Sequence, residues 1–246
     1  MKTEDFVDHS KYTIIPRDSD YKGDIRPGAL IGYFIQSAWK HAEKLGVGYS
    51  HLSETGVGWI LSRLTIRIHK LPVWPGAFSL NTWPKGMDRI LYIRDAEMYD
   101  VDNTKLASIS SAWLVIDMQT KRLKRSVPEA EFFSKLESKH HAIEKNIPSL
   151  SIEGEKVSTS KYRVRYNDID INMHLTTIRY IDFMFDTYKL EFLNNNVPVE
   201  ITVNFNKEVP FGTELDMNRY ENGNMHMFEL VNSADGTSYF KGEVVF

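Results

Sequence analysis

The 246-residue sequence contains no cysteine. Such a chain forms no disulfide, holds no metal through thiolates and uses no thiol as a nucleophile. It also has no segment near the roughly 20 apolar residues that cross a membrane. Residues Met1 to Arg17 carry charges throughout, without an apolar run of signal-peptide length. These absences fit a reducing compartment, and we expect a cytoplasmic protein without a membrane span.

Neither sign of charge dominates the chain. It carries 33 acidic and 30 basic residues, a formal net charge of −3, so no overall basic field attracts nucleic acid. The motifs G-x-S-x-G, P-loop, G-x-G-x-x-G and H-E-x-x-H are absent. The run from Asp168 imitates the start of an EF-hand loop, but it lacks the glycine, and Arg179 stands where the final glutamate belongs. We expect neither a metal nor a cofactor.

Apolar periodicity predicts one long helix and four strands in the first half. The helix covers residues 27–45, with Pro27 near its start and Gly46 after its end. Alternating, β-branched and aromatic residues predict strands at 59–70, 77–83, 89–99 and 105–116.

The same order of elements recurs in the second half. We predict a leading strand at 162–165, a helix at 175–192, and strands at 201–205, 214–220, 225–231 and 238–246. Between the halves, residues 117–160 are polar, with a basic cluster and a short predicted helix after Pro128. The pattern predicts a duplicated domain, with an N-terminal copy at 1–128, a linker at 129–158 and a C-terminal copy at 159–246. The chain then acts as a monomeric pseudo-dimer or as a homodimer.

The densest polar cluster is Asn167-Asp-Ile-Asp-Ile-Asn-Met-His174, before the second-half helix. In an extended segment alternate side chains share a face. Asp170, Asn172 and His174 then converge, while Ile169, Ile171 and Met173 anchor the other face. The helix start adds N–H groups that stabilise an oxyanion. The same residue types equally suit a helix cap and a turn, so this segment alone leaves both interpretations open.

A comparison of the two halves favours the catalytic interpretation. We set residues 17–26 against 165–174, and 64–71 against 201–208. Opposite Asp170, Asn172 and His174 the first half then carries Lys22, Asp24 and Arg26. Opposite Glu208, at a strand end before a turn, it carries Leu71. The asymmetry indicates one working copy, although a glutamate in that place is commonly only solvated.

From about Tyr12 to Phe246, the chain resembles the acyl-acyl carrier protein thioesterases, a family best known from plant plastids. Residues 167–174, continuing into Ile178-Arg-Tyr-Ile181, look like the family's S-D-L-D-x-N-x-H segment and helix. Asn206-Lys-Glu208 looks like its R-x-E strand end. Three first-half stretches resemble its P-x-W-G-D, T-W and R-D motifs, namely Pro72-Val-Trp-Pro-Gly76, Thr82-Trp83 and Arg94-Asp95. Without a transit peptide, the chain is similar to a prokaryotic member.

The resemblance implies an α+β class and a tandem (double) hotdog fold, each half a long helix wrapped by an antiparallel β-sheet. It implies hydrolysis of the thioester of fatty acyl-acyl carrier protein, releasing free fatty acid and ending fatty acid synthesis. The C-terminal half carries the catalysis, and the catalytic set transferred by position is Asp170, Asn172, His174 and Glu208. Thr176-Thr177 stand where family members often have Asn-Asn, and Val209 stands where some plant members have cysteine.

Two mechanisms are compatible with this set. In the first, Glu208 with His174 activates water, while Asn172 and helix-start N–H groups near Thr176 hold the thioester oxygen. In the second, Asp170 forms a covalent anhydride.

The substrate has two expected contact regions. Trp59, Met87 and Trp113 are candidates for the acyl pocket of the first half. Lys121, Arg122, Lys124 and Arg125 are a candidate docking surface for the acidic carrier protein. Two alternatives remain open, an acyl-CoA thioesterase of the hotdog superfamily and a non-catalytic acyl-binding module.

Overall fold

A computed structural model of the chain describes residues 6–125, 128–136 and 140–246. Residues 1–5, 126–127 and 137–139, which the predicted N-terminal domain and linker include, lie outside the described residues. The described chain forms two compact units, one within residues 6–147 and one within residues 148–246; Pro27–Ala29 group with the second.

The first unit is an antiparallel sheet with one long helix. Its main strands lie in the spatial order β1-β3-β4-β5-β2, and β6 pairs with β5. The strands are β1 (Asp8–Thr13), β2 (Val57–Ile68), β3 (Ala77–Asp88), β4 (Leu91–Asp100), β5 (Lys105–Asp117) and β6 (Leu123–Lys124). The helices are α1 (Pro27–Lys44) and the short α2 (Tyr49–Leu52), with 3-10 turns at Pro16–Asp18, Ser53–Thr55 and Pro128–Lys135.

Helix α1 confirms the prediction for residues 27–45. Pro27 occupies its first turn, where no N–H partner is needed. Leu30, Phe34 and Ala38 are buried at helical spacing, forming the face that covers the sheet. Beyond the helix, Gly46 adopts a φ of 70°, a left-handed conformation typical of helix ends.

The second unit repeats this plan with shorter helices. Its strands lie in the order β8-β11-β10-β9-β7. They are β7 (Glu155–Arg163), β8 (Glu200–Phe205), β9 (Glu214–Asn222), β10 (Met225–Asn232) and β11 (Ser238–Val245). The helices are α3 (Thr177–Phe185) and α4 (Leu190–Asn195), preceded by a 3-10 turn at Tyr166–Asp168. Both units confirm the predicted α+β class. In the described part of the chain, no helix combines the length and the apolar character of a membrane span.

The single helix predicted at 175–192 was wrong, because the chain leaves the helix after Phe185. There Thr187 Oγ1 donates to the Met184 carbonyl at 2.7 Å, a local bond that competes with helix propagation. Tyr188, predicted on the helix face, lies between the two helices and stacks on Phe192 at a ring distance of 4.9 Å.

Strand β7 begins at Glu155, inside the predicted linker, and the sequence prediction found only its end. Its side chains alternate between exposed and partly exposed rather than between exposed and buried. It pairs with β9 at the edge of the sheet. An edge strand with no buried face lacks the alternation that reveals a strand in sequence. The sequence analysis also did not predict strands β1 and β6.

Candidate active site

The polar cluster before α3 folds into a tight loop that Asp170 braces. The Asp170 N–H donates to the His174 carbonyl at 2.9 Å, and the Met173 N–H donates to the Asp170 carbonyl at 3.0 Å. Asp170 Oδ1 accepts the backbone N–H of Asn172 at 2.8 Å and that of His174 at 3.3 Å. The carboxylate therefore caps two backbone donors of the turn.

This turn replaces the extended segment that the alternating pattern predicted. Ile171 and Met173 are 76% and 60% exposed, so they do not anchor the loop as expected. Met173 adopts a left-handed φ of 64°, a conformation that costs energy for any residue with a Cβ. The loop is closed by its hydrogen bonds and not by burial of alternate side chains.

The loop brings His174 next to Glu208. His174 Nε2 lies 3.4 Å from Glu208 Oε2, and the two side chains are 24% and 37% exposed. The Leu175 N–H donates to the Val209 carbonyl at 2.8 Å, and His174 forms a bridge with Pro210. Backbone bonds thus hold the loop against the segment that carries the carboxylate. An accessible imidazole beside a carboxylate is an arrangement suited to moving a proton.

The two other predicted groups, Asn172 and Thr176, flank His174 in the sequence. The Asn172 side chain is exposed. Thr176 is the N-cap of α3, although its side chain makes no capping bond, and its N–H donates to the Asp168 carbonyl at 2.8 Å. The start of α3, with the positive end of its dipole, therefore lies two to three residues beyond His174.

Asp168 has a structural role in the same segment. Its carboxylate accepts the Arg165 N–H at 2.9 Å and Arg179 Nε at 2.8 Å. Arg179 also reaches Asp182 at 3.0 Å. In the described residues, no three His, Asp or Glu side chains are placed to hold one metal ion.

The first half contains the same loop, built around Asp20. The Asp20 N–H donates to the Asp24 carbonyl at 2.7 Å, and the Gly23 N–H donates to the Asp20 carbonyl at 3.1 Å. Asp20 Oδ1 accepts the backbone N–H of Lys22 at 2.8 Å and that of Asp24 at 3.0 Å. Gly23, with a φ of 88°, occupies the left-handed position that Met173 fills in the second loop.

This geometry corrects the predicted alignment of the two loops by two residues. Asp20, and not Lys22, is the counterpart of Asp170; Lys22 matches Asn172, and Asp24 matches His174. An ungapped comparison of two short Asp-rich segments could not distinguish these registers, because the turn bonds that define them are invisible in sequence.

The other predicted alignment agrees with the structure. The Ile25 N–H donates to the Pro72 carbonyl at 2.9 Å, as that of Leu175 does to Val209, so Leu71 matches Glu208. The aspartate is thus common to both loops and builds them. His174, Glu208 and Asn172 belong to the second half alone. The first half carries Asp24, Leu71 and Lys22 at the matching positions.

A small aromatic cavity of about 40 Å³ lies in the first unit. It includes two of the three predicted pocket residues, Trp59 and Trp113, together with Trp39, Tyr92, Phe133 and Arg94. The Trp59 and Tyr92 rings meet edge to face at 4.8 Å. Met87 lies elsewhere, in a more polar cavity of about 210 Å³ that is also lined by Arg63 and Lys85.

Arg94 is a buried cation in the aromatic cavity that sequence reasoning assigned no role. It is 5% exposed, and its Nη1 donates to His41 Nδ1 at 3.0 Å and to Thr82 Oγ1 at 3.3 Å. Burial lowers the pKa of Arg94 to about 10. Burial and the Arg94 charge lower the pKa of His41 to about 4. The only signal in the sequence was the Arg94-Asp95 motif.

The basic cluster is exposed at the turn from β5 into β6. This holds for Lys121, Arg122, Lys124 and Arg125. Lys124 Nζ lies 3.4 Å from Asp117, which neutralises part of the cluster. The surface remains cationic and open to an acidic partner.

The chain matches the acyl-ACP thioesterase N-terminal domain over residues 6–132 and the acyl-ACP thioesterase C-terminal domain over residues 152–246. It is 23% identical over 229 residues to acyl-[acyl-carrier-protein] hydrolase FATB1 of Cuphea viscosissima, covering 86% of this chain and 55% of the relative. It is 24% identical over 160 residues to oleoyl-acyl carrier protein thioesterase 2 of Arabidopsis thaliana, covering 61% of this chain and 44% of the relative. The chain therefore spans about half the length of these plant relatives.

Solved structures agree over the whole chain. An acyl-ACP thioesterase from Bacteroides thetaiotaomicron superposes with a TM-score of 0.89 at 25% identity, covering 100% of both chains. A 12:0-ACP thioesterase from Umbellularia californica superposes with a TM-score of 0.86 at 16% identity, covering 98% of this chain and 96% of the other. These likenesses confirm the predicted hotdog-type fold.

Proposed function

The chain belongs to the acyl-ACP thioesterase family, and on that premise we propose that it hydrolyses the thioester of fatty acyl-acyl carrier protein and releases a free fatty acid. The observation that carries the proposal is the pairing of His174 with Glu208 at 3.4 Å. This pair lies beside the start of α3, whereas the first half carries Asp24 and Leu71 at the two matching positions.

Hydrolysis proceeds in this proposal by attack of water on the thioester carbonyl. Glu208 and His174 take the proton of the attacking water, a contribution of typically about 10²–10⁴-fold. Asn172 and the N–H groups at the start of α3 stabilise the oxyanion, each donor contributing about 2.7–4 kcal/mol. The C–S bond then breaks, the carrier thiolate takes up a proton, and the fatty acid leaves.

The geometry favours water attack over an anhydride through Asp170. One oxygen of that carboxylate already accepts two backbone N–H groups, which lowers its nucleophilicity. Asp20 makes the same bonds in a loop without histidine. Asp170 is therefore assigned to building the loop that positions His174.

The two halves divide the work in this proposal. The C-terminal domain, residues 159–246, carries the catalysis. The N-terminal domain, predicted at residues 1–128, takes the acyl chain in the cavity lined by Trp59 and Trp113. Of the predicted linker, residues 129–158, Phe133 lines the same cavity and Glu155 begins β7. The lining of this cavity is mostly apolar and aromatic, the character of a site for an apolar ligand.

The proposed partner is the acidic acyl carrier protein, docked through the basic cluster at residues 121–125. The proposal places the reaction in the cytoplasm, in line with a chain without cysteine. Cell fractionation of a tagged chain tests the location.

Steady-state hydrolysis of an acyl-carrier-protein panel from short to long chains, beside the matching acyl-CoA panel, tests the function. A large preference for the carrier-bound series is expected, and the best substrate reports the chain length. Equal rates on both panels would assign the chain to the acyl-CoA thioesterases. Binding without turnover of either would indicate an acyl-binding module.

Two substitutions test the site itself. His174→Ala and Glu208→Gln should each lower kcat by about 10² or more, because each removes one partner of the proton-transferring pair. Asp24→Ala, at the position of His174 in the first-half loop, is the matched control and should leave kcat unchanged. Near-normal rates in both site variants would rule out the assignment.

A further inference from the structure

The aromatic cavity of the first unit contains a buried cation that the proposed reaction does not use. Arg94 lines this cavity and is 5% exposed. The other described lining residues are aromatic or aliphatic. A guanidinium in such surroundings has lost its hydration, which is costly unless a partner replaces the water.

The protein itself provides partners for only part of the guanidinium. Nη1 donates to His41 Nδ1 at 3.0 Å and to Thr82 Oγ1 at 3.3 Å, and both acceptors are uncharged. Asp8 is the carboxylate whose charge favours protonated Arg94, but Asp8 is already bonded to Lys44 Nζ. Among the described residues, Nε and Nη2 make no hydrogen bond and no carboxylate forms an ion pair with the guanidinium. Three of its five N–H groups are therefore available to a ligand.

Two other donors of the cavity are already in use. The indole N–H of Trp59 donates to the Val47 carbonyl at 2.7 Å, and that of Trp113 donates to Ser111 Oγ at 2.9 Å. A ligand oxygen could use either indole only by breaking its present bond. The guanidinium of Arg94 can bind such an oxygen without that loss.

The fold does not require a cation at this place. Arg94 and His226 occupy matching positions in the two sheets, because each lies opposite the residue that pairs with Leu64 in the first sheet or with its match Ile201 in the second. His226 Nδ1 is bonded to Tyr188 Oη at 2.8 Å, and burial lowers the pKa of this histidine. A ring that is uncharged at neutral pH thus suffices in the second unit.

The size of the cavity fits the end of a ligand. A water molecule needs roughly 10–15 Å³ of such space, so a volume of about 40 Å³ holds about three groups of that size. In the proposed function the thioester is cleaved beside His174 and Glu208, in the second unit. The part of the acyl chain that reaches the cavity of the first unit is then the end remote from the thioester.

We propose that Arg94 is a specificity-determining residue that selects fatty acyl chains carrying an oxygen at the end remote from the thioester. The guanidinium donates to that oxygen, which belongs to a hydroxyl or a carboxylate, and the aromatic rings contact the carbons before it. A chain that ends in a methyl group leaves the buried cation without this partner, which penalises its binding. The inference rests on the proposed thioesterase function.

The test compares carrier-linked thioesters of one chain length that end in a methyl, a hydroxymethyl or a carboxyl group. We expect kcat/KM for at least one oxygen-bearing substrate to exceed that of the methyl-ended one by about 10–100-fold, the effect of a hydrogen bond to a charged group. The better of the two oxygen-bearing substrates identifies the end group. This comparison uses wild-type protein alone, so it stands even where a variant fails to fold.

Arg94→Met retains a long side chain and removes the charge and the donors. It should reduce the preference to within about twofold. Arg63→Met is the matched control, since Arg63 belongs to the same unit and lines the other, more polar cavity. It should retain the preference of wild type.

Amide analogues of the same three substrates, with N–H in place of the thioester sulfur, resist hydrolysis and report binding alone. Tryptophan fluorescence measures their Kd values, and we expect an oxygen-bearing analogue to bind about 10–100-fold more tightly than the methyl-ended one. Arg94→Met should remove this difference as well.

The possible outcomes separate the inference from the function on which it rests. Turnover of all three thioesters with equal kcat/KM, or a preference that Arg94→Met leaves unchanged, would overturn the inference and leave the thioesterase function standing. No turnover of any thioester, together with tighter binding of an oxygen-bearing amide in wild type only, would refute the hydrolysis and retain the selectivity of the cavity. Neither turnover nor a difference in binding would refute both.

Discussion

Acid should weaken the first unit through His41, the histidine that accepts a hydrogen bond from Arg94 Nη1 at 3.0 Å. His41 is 4% exposed, and burial and the Arg94 charge lower its pKa from 6.5 to about 4. Protonation would remove the acceptor and place a second cation against the guanidinium. The folded chain therefore keeps His41 neutral at pH values where the unfolded chain binds a proton.

The sign and size of the effect follow from this difference. Between pH 6.5 and about 4 the unfolded state binds more protons at this residue, so stability falls as the pH falls through that window and levels off below it. A lowering from 6.5 to about 4 corresponds to about 3 kcal/mol in total. Between pH 7 and pH 5 the loss from His41 is about 2 kcal/mol.

Urea unfolding at pH 7 and pH 5, followed by tryptophan fluorescence, measures this loss. The tryptophans at positions 39, 59, 74, 83 and 113 all lie in the first unit, so the signal reports on it. His41→Gln retains a hydrogen-bond acceptor but does not titrate. Wild type should lose about 2 kcal/mol more than this variant on going to pH 5.

His141→Gln, at an exposed histidine of the same unit, is the control and should show the same acid loss as wild type. The difference between wild type and His41→Gln cancels the contributions that other groups titrating in this pH range make to the loss of stability. Equal losses in wild type and His41→Gln would refute the reasoning.

Two further predictions concern the loops and the basic cluster. Asp170→Ala and Asp20→Ala should each lower the unfolding free energy by about 1–2 kcal/mol, because each carboxylate caps two backbone N–H groups; only Asp170→Ala should also abolish turnover, and equal turnover in both would contradict the division of roles. Arg122→Glu should raise KM for acyl-carrier protein and reduce its salt dependence, whereas Lys189→Glu, another exposed charge reversal, should not. An unchanged KM in Arg122→Glu would remove the cluster from the docking surface.

Most regular elements were predictable because their burial patterns are local. Helix α1 and strands β2 to β5 each expose one repeating set of side chains and bury another, or run through the core. Because one face of such an element is buried along its whole length, apolar residues recur in the sequence with the period of the helix or strand. Strand β7 and the break after Phe185 lack such a period, and both were missed.

The candidate site was likewise predictable only where it depends on residues close together in the sequence. The residue types in 167–174 and the asymmetry at Glu208 were visible in the sequence. The register of the two loops was not, because a hydrogen-bonded turn, and not side-chain alternation, determines it. The sequence also did not reveal that Met87 and Trp59 line different cavities, because the direction of a side chain near a strand end depends on local irregularities such as the register shift between Pro84 and Gly86.

The sequence by itself determined the duplication, the α+β class, the long first helix and the candidate catalytic residues, since each depends on residue types at fixed separations along the chain. Only the tertiary structure decided that His174 meets Glu208 and that Asp170 and Asp20 play the same part in their two loops. These are contacts between segments about 30 residues apart, or comparisons of two separate turns. Their energies depend on distances that no local pattern encodes.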